Sequence, residues 1–344
     1  MVKEVITFKP KKVVKELLAG VPERARHIIT LRYGLEDSER MTLEAIGKIY
    51  SITRERVRQI EDFTLKSIKK SGVVESRRDV FRELELAMEE YGGIVHEREF
   101  LEYVSPKDEV VQNIIHFLLV LGDAFDKLKE DEAFHHRWTT DRELAHAIHE
   151  SLKNLCVQIS DNDLLTEEEL LAIFKKNLAA KVEVPRAEKH GRRWLQLSKE
   201  VGQSPIGEWG LTSSPNVKVR GIRDYAYLIM RKHGSPMHFT EVAKAIETTF
   251  KKKANPATCH NELIKDERFV LVGRGIYALA EWGYAKGVGR DVIRAVLKAN
   301  GPLTKDEILE KVLKERYVKE NTIVVNLKNP KYFKHDKAGR YSTV

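Results

Sequence analysis

Between residues 42 and 71 the apolar positions fall on two short helical stripes separated by a turn. In "TLEAIGKIY" (residues 42–50), Leu43, Ile46 and Ile49 recur at the spacing of one inward-facing helix side. In the stretch that follows, Val57, Ile60, Thr64 and Ile68 sit at i, i+3, i+7 and i+11, a second buried stripe. Thr53 is a good N-cap and predicts a helix over 53–71. Tyr50, Ser51 and Ile52 make a three-residue turn. Arg54, Glu55, Arg58 and Gln59 point away from the stripe. Helix, short turn and helix with a polar face at the second helix's N-terminus is the pattern of a helix-turn-helix. Such a second helix can lie in the DNA major groove, where Arg suits guanine, Gln suits adenine and Glu accepts from cytosine. The spacing alone fits an ordinary amphipathic helix with a solvated face equally well.

The pattern continues as a series of small helical modules. Residues 77–91 and 96–103 read as helices on either side of a Gly-Gly turn. The run "IIHFLLVLG" (residues 114–122) reads as a buried helix, since it is far short of the ~20 residues a membrane span needs. Strand, turn and strand then end at Trp138. Helices continue over 141–180, where Thr166 caps a segment with three acids in its first turn. A turn-rich stretch over 204–221 contains Trp209, which reads as a packing residue. Two later segments resemble each other: residues 223–246 align with 289–312, and 257–280 with 322–344. Each copy has three helices and then two short strands around a Gly-Arg or Arg-Gly tip, which describes a winged helix.

Charge separates these modules. The net charge of +8 divides into +6 over residues 1–72, −12 over 73–180 and +14 over 181–344. Basic ends flanking an acidic middle suggest that the ends meet a polyanion and the middle does not. Cys156 and Cys259 match no zinc or CxxC spacing, and the first twenty residues lack the apolar core of a signal peptide. A reduced, cytoplasmic protein is expected. No phosphate loop, calcium loop or Ser/His/Asp signature occurs, and His135-His136 reads as wing surface. The reading is therefore of a protein that is not an enzyme and needs no metal or cofactor.

Residues 26–70, "RHIITLRYGLEDSERMTLEAIGKIYSITRERVRQIEDFTLKSIKK", closely resemble region four of the bacterial primary sigma factors. In that family "LRYGL" precedes an acidic turn, then "TLEEIG", then "TRERVRQIE" as the recognition helix. The resemblance favours the DNA-facing reading of the helix. It implies base contacts from Arg54, Glu55 and Gln59, and phosphate contacts from Thr42, Thr53, Arg56 and Arg58. It also implies the RNA polymerase β flap as a partner. The family usually has Gly where Ser51 stands, so a positive φ there would cost Ser roughly 1 kcal/mol. Only 25 residues precede this stretch, with Phe8 the one aromatic among them, so duplex melting of the kind sigma factors perform is not expected. Residues 222–284, with "HGSPMHFTEVAKAI" and "VGRGIYAL", resemble the HARE-type helix-turn-helix family. In this copy, Lys251, Lys252 and Lys253 form a basic loop and Arg274 stands at a wing tip, a position for phosphate contact.

The fold expected is mainly α, a multi-domain array of helix-turn-helix and winged-helix units with short β-hairpin wings. Its parts are a sigma-region-four-like domain (1–72), a diverged acidic winged-helix-like domain (73–140), a helical domain with a turn-rich linker (141–221), a HARE-type winged helix (222–284) and a second winged-helix-like repeat (285–344). The expected role is sequence-specific regulation of transcription on double-stranded DNA. The alternatives are a delta-like polymerase accessory that binds protein, or the targeting component of a restriction or defence system.

Overall fold

The computed structural model describes residues 5–36, 39–178, 182–284, 287, 289–315, 317, 319–336 and 338–344. The acidic turn after Leu35 and the start of the 285–344 segment therefore lie partly outside the described residues. Sixteen α-helices and small antiparallel strand groups make up the described chain, a mainly α array of helix-turn-helix units with short hairpins. The chain divides into two compact units, residues 1–202 and 203–344.

The first unit opens with α1 (Pro10–Leu17), α2 (Glu23–Tyr33), α3 (Leu43–Tyr50) and α4 (Arg54–Lys70). Three fully buried side chains, Ile28, Ile46 and Val57, hold α2, α3 and α4 together, with Leu31, Leu43, Ile52 and Ile60 packed around them. That cluster is small. Most of the apolar surface of α1 and the far side of α2 is buried instead in a larger core shared with the next elements. These are α5 (Arg78–Tyr91), β1 (Ile94–His96), α6 (Glu97–Val104), α7 (Glu109–Leu121), β2 (Asp126–Leu128) and β3 (Arg137–Thr139). Val13, Leu17, Ile29, Tyr33 and Ile68 join Leu84, Met88, Phe100, Phe117 and Trp138 in one continuous cluster, which passes across residue 72.

Three helices followed by a sheet in the order β1-β3-β2 give residues 78–139 the winged-helix arrangement. Gly92 and Gly93 both take positive φ between α5 and β1, and a Cβ on Gly93 would lie 2.8 Å from Leu144, so neither tolerates a side chain easily. Beyond β3 come α8 (Arg142–Gln158), α9 (Glu167–Leu178) and α10 (Val184–Leu195). Thr166 caps α9, its Oγ1 accepting from the Glu169 amide at 3.2 Å.

The chain passes into the second unit through β4 (Val201–Gln203) and β5 (Trp209–Leu211), a two-stranded pair in which Trp209 is buried. Then follow α11 (Ile222–His233), β6 (Met237–His238), α12 (Phe239–Phe250), α13 (Pro256–Lys265), β7 (Phe269–Gly273) and β8 (Ile276–Leu279), with sheet order β6-β8-β7. The last module repeats the plan with α14 (Gly289–Asn300), α15 (Lys305–Glu315), α16 (Glu320–Leu327), β9 (Phe333–His335) and β10 (Tyr341–Thr343) around Val292, Val296, Ile308, Ile323 and Phe333. In each copy a single short segment ahead of the second helix pairs with the hairpin: β6 with β8, and Leu303 with Tyr341.

Among the described residues, no helix is long and apolar enough to cross a membrane.

Candidate nucleic-acid interface

The helix-turn-helix is fixed at both of its N-termini by threonine. Thr42 Oγ1 accepts from the Ala45 amide and Thr53 Oγ1 from the Arg56 amide, each at 3.1 Å. Each hydroxyl hydrogen remains available as a donor, and both residues are exposed. Between the helices Ser51 takes φ 54°, ψ 42°, the left-handed region. The strain of about 1 kcal/mol conditional on a positive φ is therefore present. The turn closes with the Ile52 amide on the Gly47 carbonyl at 3.0 Å. A Cβ on Gly47 would lie 2.6 Å from the Ile52 oxygen, so this approach requires glycine at 47.

On α4, Val57, Thr64 and Ile68 are buried and Ile60 is partly so, while Arg54, Glu55, Arg56, Arg58 and Gln59 are all exposed. The five polar residues form the outer surface of the first two turns. Four of them, all but Arg54, are also bonded in pairs. Arg58 donates to Glu55 at 2.7 Å and to Asp62 at 2.7 Å. The hydrogen bond from Arg58 holds the Glu55 carboxyl below its ordinary range, so it presents two acceptors and no proton. Arg56 donates to Gln59 Oε1 at 3.1 Å, leaving the Gln59 amide hydrogens outward. The face is thus held in order in the free protein by exposed pairs of small individual worth.

Two features depart from the sequence pattern. Ile49, expected to face inward, is 53% exposed. The buried side of so short a helix is centred on Ile46 and Gly47, and position 49 falls to one side of it. Glu61, by contrast, is buried on α4, with Arg32 Nε 3.4 Å away. It lies four residues after Val57, on the stripe itself, and that spacing was the signal available in the sequence. Burial and the neighbouring Glu61 carboxylate push the Tyr33 hydroxyl well above its ordinary range, keeping it a donor. Arg32 in turn donates to the Met41 carbonyl at 3.1 Å and so ties α2 to the approach of α3.

In the second unit Lys251, Lys252 and Lys253 are exposed on the loop after α12, and Lys251 caps it at φ 56°. Arg274 is exposed at the tip between β7 and β8. The adjacent Gly275, at φ 71°, allows the tip to fold back: a Cβ there would meet His238 at 2.6 Å. The residues that sequence reasoning passed over lie on α13. Thr258, Asn261, Ile264 and Lys265 are exposed along it, while Cys259 and Leu263 are buried. With one Lys and two neutral polar groups, this face offers far less charge than α4.

Residues 17–70 match the family model described as sigma-70, region 4. Residues 222–282 match the HARE-HTH model, whose description names ASXL and restriction endonuclease proteins as carriers of this helix-turn-helix domain. The chain is similar to RNA polymerase sigma factor SigA of a Bacillus species, 39% identical over 59 residues, covering 17% of this chain and 16% of that protein. SigA of a Nostoc species is 43% identical over 56 residues, 16% of this chain and 14% of the relative. RpoS of Coxiella burnetii is 45% identical over 56 residues, 16% of each. The chain thus spans about a sixth of the length of these relatives. Together with the helix-turn-helix geometry, the two family matches define a DNA-binding helix-turn-helix protein.

Proposed function

We propose that this protein regulates transcription by binding promoter DNA sequence-specifically through α4 while engaging RNA polymerase. The observation that carries the reading is the division of α4. Val57 and Ile68 anchor one side, and Arg54, Glu55, Arg56, Arg58 and Gln59 occupy the exposed first turns of the other. Arg54, Glu55 and Gln59 supply the donor and acceptor sets that distinguish base edges, and the remaining arginines and threonines position the helix on phosphates. The sigma-factor relatives support the polymerase as partner. The role is one of binding rather than catalysis.

The test is selection of duplex DNA from a random pool by the whole protein, followed by sequencing. A discrete preferred site that changes with Gln59→Ala supports the reading. The same site from wild type and from both Arg54→Ala and Gln59→Ala overturns it.

A second reading applies to α13 alone. Its exposed Ile264 (61%) beside neutral Thr258 and Asn261 suits a protein ligand better than a phosphate backbone. Retention of polymerase without DNA, weakened by Ile264→Asp, would distinguish this adaptor role.

A further inference from the structure

The last module carries its positive charge in an unusual place. Residues 285–344 hold 14 Lys and Arg against 7 Asp and Glu. Its third helix, α16, which corresponds to α13 in the preceding module, contains no Lys or Arg and exposes Val325 (61%). Of the three helices only the first carries a net positive charge. Arg290, Arg294 and Lys298 are exposed on α14 at i, i+4 and i+8, while Val292, Ile293, Val296 and Leu297 are buried behind them. One turn and a fraction separates each cation from the next, about 6 Å along the axis.

A residue distant in sequence completes this ridge. Tyr332, just before β9, lies beneath the guanidinium of Arg290 at 4.8 Å and of Arg294 at 5.5 Å, with Lys331 Nζ at 5.7 Å. Its hydroxyl accepts from Arg290 Nη1 at 3.2 Å. A ring that braces three cations orders them without neutralising them. Arg290 also has Asp291 at 3.8 Å, but among the described residues no carboxylate pairs with Arg294, Lys298 or Lys331. Two acids of α15 are engaged elsewhere: Glu310 pairs with Lys314, and Glu307 accepts from Thr304.

We propose that this ridge is a second DNA site, which holds the phosphate backbone of double-stranded DNA without reading its sequence. Concentrated cations on a straight helix, with no Asn or Gln among them and both guanidiniums held over the Tyr332 ring, fit a row of phosphates better than a set of base edges. The Tyr332 ring is occupied by its cations and is not an open platform for an unstacked base, which argues against single strands. The site does not depend on α4, and it adds a tethered contact that raises the affinity of the whole chain wherever α4 is seated.

The experiment measures binding of the full-length protein to a random-sequence duplex as a function of salt. The variants are Arg294→Gln/Lys298→Gln/Lys331→Gln and, as a charge-matched control on α15, Lys305→Gln/Lys311→Gln/Lys314→Gln. All six positions lie outside the core, and thermal melts check that both variants are folded. The ridge variant should flatten the slope of log K against log salt by about 2 to 3, because each phosphate contact contributes about 0.9 to it. The control should keep the wild-type slope, and the site preferred by α4 should be the same in all three proteins. An unchanged slope in the ridge variant overturns the inference, as does an equal loss in the control or a loss seen only on single-stranded DNA. Any of these outcomes leaves the reading of α4 intact, since that rests on sequence preference and not on the slope.

Discussion

Helices α4 and α7 each close a three-helix module in the same compact unit, yet they have opposite surroundings. On α4, thirteen of the seventeen residues are exposed or only partly buried, and the first two turns are charged and solvated. On α7, Ile114 to Leu119 and Leu121 are buried, and α1 and α2 pack against it. Tyr33 of α2 meets Phe117 of α7 with ring centroids 5.0 Å apart. Shared architecture therefore does not confer shared function. The position that presents an exposed, charged face in the first module is a structural beam in the second, and the net −12 of residues 73–180 disfavours approach to a polyanion. The acidic module underpins the helix-turn-helix rather than duplicating it.

The sharpest break of this comparison is at the beam. Phe117→Ala should cost about 3–5 kcal/mol of stability, the range for deleting a buried aromatic. Because Phe117 supports Tyr33, DNA binding should disappear in the same transition as the fold. Denaturant unfolding followed alongside DNA binding checks this, and binding that outlasts the loss of α7 would show that the helix-turn-helix stands alone.

Acid should also act on the beam. Glu97 accepts from Lys127 and from Trp138 Nε1, each at 2.8 Å. Burial raises its affinity for protons, but His116 and Lys127 outweigh that and hold it far below the ordinary carboxylate range. Burial likewise lowers His116, and its Glu97 neighbour only partly offsets this. For His116 the folded form binds protons less readily than the unfolded form, so stability falls as pH drops below about 6.5. For Glu97 the stabilisation is present above about 4.3 and is lost as pH falls further. The unfolding midpoint should drop between pH 7 and 5 and again below 4. His116→Gln should shrink the first of these steps without abolishing it, because burial also lowers His96, His149 and His190.

Changes on α4 should leave the fold alone. Arg54→Ala or Gln59→Ala is expected to relax preference at one or two base pairs by ~1–3 kcal/mol with no change in melting, and Arg56→Ala to weaken all sequences alike. Selection and melting curves on the same samples separate the two effects. The smallest change is in the turn: Ser51→Gly should stabilise by up to about 1 kcal/mol, seen as a modest rise in midpoint with the preferred site unaltered.

What the sequence determined by itself was local. The caps at Thr42 and Thr53, the stripe through Val57 and Ile68, the exposed face of α4 and the tip at Arg274 all depend on residues within about one helical turn or one hairpin, and on side chains whose preferences are strong over that distance. The tertiary structure decided the rest. The stripe places Glu61 inward, but its charge is offset there by Arg32, twenty-nine positions earlier, and no pattern within α4 announces that partner. Ile49 faces solvent because the α3–α4 turn and the core at Ile46 leave it no partner. Burial of α7 from Ile114 to Leu119 follows from α1 and α2 folding onto it, and the cations of α14 are braced only because Tyr332 comes to rest under Arg290 and Arg294. Periodicity records which side of a helix is apolar, but what covers that side, and which charges meet, is set by contacts between segments far apart in the chain.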